Sequence, residues 1–170
     1  TGPDDAVYVA GDKAVRVFEA DGRTRREIGL DRSPTGLHVD SQGGLWISLG
    51  RYFEVYEPDG ARRMRSPILG DSAFVTALAV RDDEVFLADA GGREVLVCDV
   101  RDGAVRRRFG KREANPPGNG ANPGFIVPSP YFDLGFGPDG HLHVANPGRL
   151  RVEAYTVEGR FVSSWGQAGM

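Results

Sequence analysis

Apolar and polar residues alternate along this chain in short runs, and the runs come in a fixed order. Val7-Tyr8-Val9-Ala10 leads to Val15-Arg16-Val17-Phe18 and then Asp21-Gly22. Leu45-Trp46-Ile47-Ser48 leads to Phe53-Glu54-Val55-Tyr56 and Asp59-Gly60. Val85-Phe86-Leu87-Ala88 leads to Val95-Leu96-Val97-Cys98 and Asp102-Gly103, and Leu142-His143-Val144-Ala145 to Val152-Glu153-Ala154-Tyr155 and Glu158-Gly159. Alternation at period two, with many β-branched and aromatic residues, predicts half-buried strands. The glycine of each closing pair supplies the positive φ that a tight hairpin needs. No segment shows sustained helical periodicity.

The turn glycines at 22, 60, 103 and 159 are spaced by 38, 43 and 56 residues. The first two spacings match a four-stranded propeller blade, about 40–45 residues long. The third is lengthened by an insertion. The expected blades cover roughly residues 5–29, 35–66, 74–109 and 131–166, with the insertion at 111–130. The first begins at Val7 in the position of the second strand of the others, so its innermost strand is missing. The fold expected is all-β: a propeller of four-stranded antiparallel blades, about four of them, forming part of a six-bladed ring. A closed four-bladed ring is the alternative. The chain reads as a fragment or processed piece of a longer propeller, with apolar blade faces open at both ends.

The phrase from Val85 to Val97 resembles the core of an NHL repeat. So does Pro138-Asp139-Gly140-His141-Leu142-His143-Val144-Ala145-Asn146. The stretch Pro128-Ser129-Pro130-Tyr131-Phe132-Asp133-Leu134 with the fourth unit is similar to poorly characterised bacterial NHL-repeat proteins. The resemblance spans nearly the whole chain outside the insertion. It implies a six-bladed propeller but no single activity, because this fold carries scaffolds, RNA binders, lactonases and lyases.

Composition narrows the partners. The 170 residues carry a net charge of −3 and are 40 % hydrophobic. That suffices for a core and gives no general attraction to nucleic acid or anionic membrane. No apolar stretch is long enough for a transmembrane helix. An extracytoplasmic setting, periplasmic or secreted, is favoured over a cytoplasmic one. The single Cys98 lies in an apolar strand and reads as an inert buried thiol. Clusters Arg23/Arg25/Arg26, Arg62/Arg63/Arg65 and Arg106/Arg107/Arg108 fall in the outermost strands, where charge deters edge-to-edge pairing. A basic belt for phosphates is the alternative, and RNA binding ranks low.

Topology selects one face for function. In such a blade, the connection entering it and the turn between its second and third strands emerge together. The insertion therefore shares a face with the turns at 11–13, 50–52, 89–93 and 146–149. The candidate surface is Asp12, Arg51, Tyr52, Asp89, Arg93, Asn119, Asn122, Asn146 and Arg149. Asp89 and Asn146 hold one repeat position, where a side chain also caps its own turn. His141 and His143 are spaced to share a sheet face, but a third metal ligand is not evident, and His38 lies in another blade. No catalytic residue, metal site or cofactor is assigned. The expectation is a non-catalytic binding or scaffold module that meets a protein, the remaining propeller blades or a small polar ligand on this face. A metal-dependent, lactonase-like hydrolase or lyase is the alternative, and a docking subunit of an extracytoplasmic complex a further one.

Overall fold

The computed structural model describes residues 2, 5–110, 125 and 132–166. Four antiparallel sheets follow one another along the chain. The first is β1 (Val7–Gly11), β2 (Ala14–Phe18) and β3 (Thr24–Gly29). The second is β4 (Gly36–Val39), β5 (Leu45–Ser48), β6 (Phe53–Tyr56) and β7 (Arg62–Arg65). The third is β8 (Val75–Arg81), β9 (Glu84–Asp89), β10 (Glu94–Asp99) and β11 (Val105–Phe109). The fourth is β12 (Leu134–Phe136), β13 (Leu142–Asn146), β14 (Arg151–Tyr155) and β15 (Phe161–Trp165). Every sheet is a meander in chain order. The inner strands β4, β8 and β12 pack side by side, and the other strands fan outward from them. This is propeller architecture, all-β with antiparallel blades as expected.

The first blade has three strands because β1 pairs with β2 as β5 pairs with β6: Val7 faces Phe18 as Leu45 faces Tyr56. Each turn between third and fourth strands is set by an Asp-Gly pair in three blades. Asp21, Asp59 and Asp102 accept the backbone N–H two residues on, at 3.1, 2.8 and 2.9 Å. Gly22, Gly60 and Gly103 then take φ of 84°, 90° and 71°.

Both faces of an interior blade are buried, so each junction has its own core. Tyr52, Tyr56, Leu45 and Ile47 of the second blade pack on Val15 and Ile28 of the first. Trp46, Phe53 and Val55 pack on Val85, Leu87, Leu96 and Cys98 of the third. Phe86, Val95 and Val97 pack on Leu142, Val144 and Tyr155 of the fourth. The outermost faces lack such a cover among the described residues. Val7 and Val9 are 41 % and 52 % exposed, whereas their repeat equivalents Leu142 and Val144 are fully buried. At the other end Trp165 is half exposed and stacks edge-on with His143.

Arginines tie the blades together. Arg26 of β3 donates to the carbonyl of Pro58 in the second blade. Arg81 and Arg107 of the third donate to the carbonyls of Gly140 and Val157 in the fourth. Outer arginines also pair with carboxylates: Arg62 with Glu54, Arg63 with Glu57, Arg106 with Asp83 and Asp99, Arg107 with Glu84, Arg108 with Glu94. The arginine-rich strands are therefore an ion-paired rim.

Candidate functional site

The site begins where the inner strands start. Thr35, just before β4, accepts the Gly50 N–H at 3.2 Å and donates its hydroxyl to the Val75 carbonyl at 2.6 Å. Thr76, at the start of β8, donates to the Phe132 carbonyl at 2.7 Å. Each threonine thus links one inner strand to the next. Between these strands lies a cavity of about 580 Å³. Leu37 and His38 of β4 line it, with Thr76, Ala77 and Leu78 of β8, Phe132, Asp133 and Leu134 at β12, and Ala145 and Pro147 beside them. Its volume falls in the range of small-molecule sites, and its apolar lining residues stand beside three polar ones, His38, Thr76 and Asp133.

Two polar side chains in this cavity retain hydrogen-bonding capacity. Asp133 Oδ1 accepts the Leu134 N–H at 2.8 Å, while Oδ2 has no partner among the described residues. The half-buried His38 imidazole bonds to no described residue, and burial lowers its pKa below 6.5, against a smaller opposing pull from Asp40. Burial thus favours the neutral form, which donates at one nitrogen and accepts at the other. Thr76 is already committed to Phe132.

The loop-bearing face lies at the same end. Asp12 and Lys13 form the tight turn of the first blade, with φ of 47° and 59°, and Asp12 is exposed. Arg51 reaches Asp71 at 3.1 Å and the Gly70 carbonyl at 3.3 Å. Tyr52 is buried, with the Arg65 guanidinium over its ring at 4.0 Å. Asp89 is also buried; its Oδ1 accepts the N–H groups of Phe74 at 2.7 Å and Gly91 at 3.1 Å. It therefore caps its own turn and fastens the connection at 66–74 to it. Gly91 must stay a glycine here, since a Cβ would stand 1.8 Å from the Ser72 carbonyl oxygen. Arg93 is exposed with φ of 57°. Asn146 is fully buried and donates to Glu153 at 3.1 Å. Arg149 sits in the short 3-10 turn Pro147–Arg149, its Nε buried with no partner among the described residues. Asn119 and Asn122 lie outside the described residues. Of the insertion, Phe125 is described: it is buried and stacks between Phe132 and Tyr155. Asp12, Arg51, Arg93 and Arg149 thus remain at the surface of this face, while Tyr52, Asp89 and Asn146 build it from beneath.

The sequence reading passed over two buried glutamates. Glu54 accepts the Tyr56 hydroxyl at 2.7 Å and Arg62 at 3.0 Å. Glu153 accepts the Tyr155 hydroxyl at 2.6 Å, Arg151 at 2.7 Å and Asn146. The signal was present: Glu-x-Tyr stands at one blade position in two repeats. His143 and His141 both bond Asp139, at 2.9 and 3.0 Å, and these bonds hold the Asp139 carboxyl well below the usual carboxylate range. Trp46 uses its indole N–H in the same way, donating to Asp40 at 2.9 Å. Among the described residues no group of three His, Cys, Asp or Glu side chains is arranged to hold a metal ion.

Neither a protein-family model nor a curated protein matches this chain. Solved structures do. A streptogramin B lyase superposes with a TM-score of 0.69 at 13 % identity, covering 96 % of this chain and 52 % of that one. Hydrazine synthase of Kuenenia stuttgartiensis gives 0.71 at 15 % identity, covering 98 % and 47 %. BamB of Moraxella catarrhalis gives 0.63 at 14 % identity, covering 94 % and 44 %. The fold is that of a β-propeller. The chain spans about half the length of the structures it matches. Identities this low establish the fold and nothing finer.

Proposed function

We propose that the chain is a non-catalytic binding module of NHL-repeat type, which receives a small ligand at the cavity between its inner strands, beneath the loop-bearing face. The observation that carries this is the cavity itself: an open pocket with mainly apolar lining residues, at which half-buried His38 and exposed Asp133 keep free hydrogen-bonding capacity. The blades hold it rigidly, and the turns bearing Asp12, Arg51, Arg93 and Arg149 frame the face above it. The uncovered faces of the first and fourth blades take further propeller blades or a protein partner.

Ligand-observed NMR with a fragment library tests this reading. The wild type should bind a subset of fragments, and Ala145→Phe, which fills the cavity from a half-buried wall position, should abolish binding while the β-sheet circular dichroism is kept. A folded Ala145→Phe variant that binds the same fragments equally well would overturn it. The second reading is a metal-dependent lyase or hydrolase, prompted by the likeness in fold to a streptogramin B lyase. Elemental analysis and light scattering on one chromatographic peak decide between them. A monomer with a stoichiometric divalent metal and turnover of a lactone or lyase substrate would replace the binding module.

A further inference from the structure

We infer that the cavity between the inner strands selects a compact apolar molecule bearing one protonated amine. The inference rests on the reading of this cavity as the binding site and adds the chemistry of its ligand. Three observations converge. First, Leu37, Ala77, Leu78, Phe132, Leu134 and Ala145 give the cavity apolar walls, which favour a ligand body without polar groups. Second, Asp133 is exposed at this cavity, and the free Oδ2 of its carboxylate accepts hydrogen bonds only. An ammonium satisfies it, a hydroxyl does so more weakly, and a carboxylate is repelled. Third, half-buried His38 lines the same cavity, and the neutral form that burial favours offers an acceptor nitrogen and adds no competing positive charge. Among the described residues, none that lines the cavity is an arginine or lysine. The nearest arginine by sequence, Arg149, belongs to the turn that follows Pro147.

A matched set of one-ring probes separates the parts of this claim: benzylamine, benzyl alcohol and benzoate. Their affinities for the wild-type protein are measured by ligand-observed NMR titration at pH 7.5, with Asp133→Asn and Ala145→Phe as variants. Benzylamine should bind at least about tenfold more tightly than benzoate, with benzyl alcohol between them. Asp133→Asn should lower benzylamine affinity by about tenfold and leave benzyl alcohol nearly unchanged. Ala145→Phe should weaken all three. Equal binding of the three probes, lost together in Ala145→Phe, overturns the amine preference and leaves the binding module standing. Failure of all three overturns the preference too, and the fragment library then decides the fate of the module by itself. Benzylamine affinity indifferent to Asp133→Asn also overturns it, because the carboxylate is then not the selecting group.

Discussion

Glu54 and Glu153 are each about 1 % exposed and each collects a tyrosine hydroxyl and a guanidinium. Truncating one leaves buried donors without an acceptor, which costs more than the pair itself contributes. Glu153→Ala should destabilise the protein by about 3 kcal/mol in urea unfolding. Arg23→Ala, which removes an exposed pair with Asp21, should change stability by less than about 0.5 kcal/mol. His38 gives a pH signature. Burial lowers its pKa in the folded state below the 6.5 of the free side chain, so the unfolded chain binds the proton first. Its contribution is complete above pH 6.5 and is lost as pH falls through the interval between the two values. Thermal melts from pH 7.5 to 5 should fall more steeply for the wild type than for His38→Gln; parallel curves would remove His38 from the account. These glutamates were hard to recognise in the sequence for a physical reason. In Phe53-Glu54-Val55-Tyr56 the alternation reads as one face dry and one wet, but a propeller blade is covered on both faces, so the polar position of the alternation is as buried as the apolar one.

At the scale of the element, the strands were legible because each carries its own period and each hairpin its own glycine. Turn glycines with the same φ sign nevertheless differ in what surrounds them. A Cβ at Gly22 meets nothing within 4 Å, whereas one at Gly103 would stand 2.5 Å from the Ser66 Cβ. Gly22→Ala therefore carries only the left-handed strain, about 1–2 kcal/mol. Gly103→Ala adds overpacking and should lose about 2–4 kcal/mol. Equal losses in urea titrations would contradict the packing at the junction of the second and third blades. The candidate face was legible as a set of turns, since turn position follows from strand order. Which turn residues point outward was not. Tyr52 and Asn146 sit at the edge of their strands and complete the junction cores, a tertiary outcome that local spacing does not encode. The cavity is less local still: it arises from three inner strands about forty or more residues apart in sequence, and no motif announces it.

Among the described residues, the blades at the two ends of the series each leave one face uncovered. Val7 and Val9 at one end and Trp165 at the other occupy positions of a kind that blade-on-blade packing buries at the internal junctions. Surfaces of this kind associate. Light scattering should show the average mass rising with concentration, and Val9→Thr combined with Trp165→Ser should suppress that rise, at a cost of about 1–2 kcal/mol in unfolding free energy because Trp165 is half-buried against His143. A wild type whose mass stays constant at every concentration would mean that these faces do not meet in solution.

The arginine links between blades have a different kind of consequence. Arg26, Arg81 and Arg107 end on the carbonyls of Pro58, Gly140 and Val157. A backbone carbonyl is present whatever side chain the neighbour carries. A blade can therefore drift in sequence without releasing its neighbour's grip, and an inserted or exchanged blade meets an acceptor already in place. Repeats that share so few residues can in this way remain one joined object through duplication and divergence.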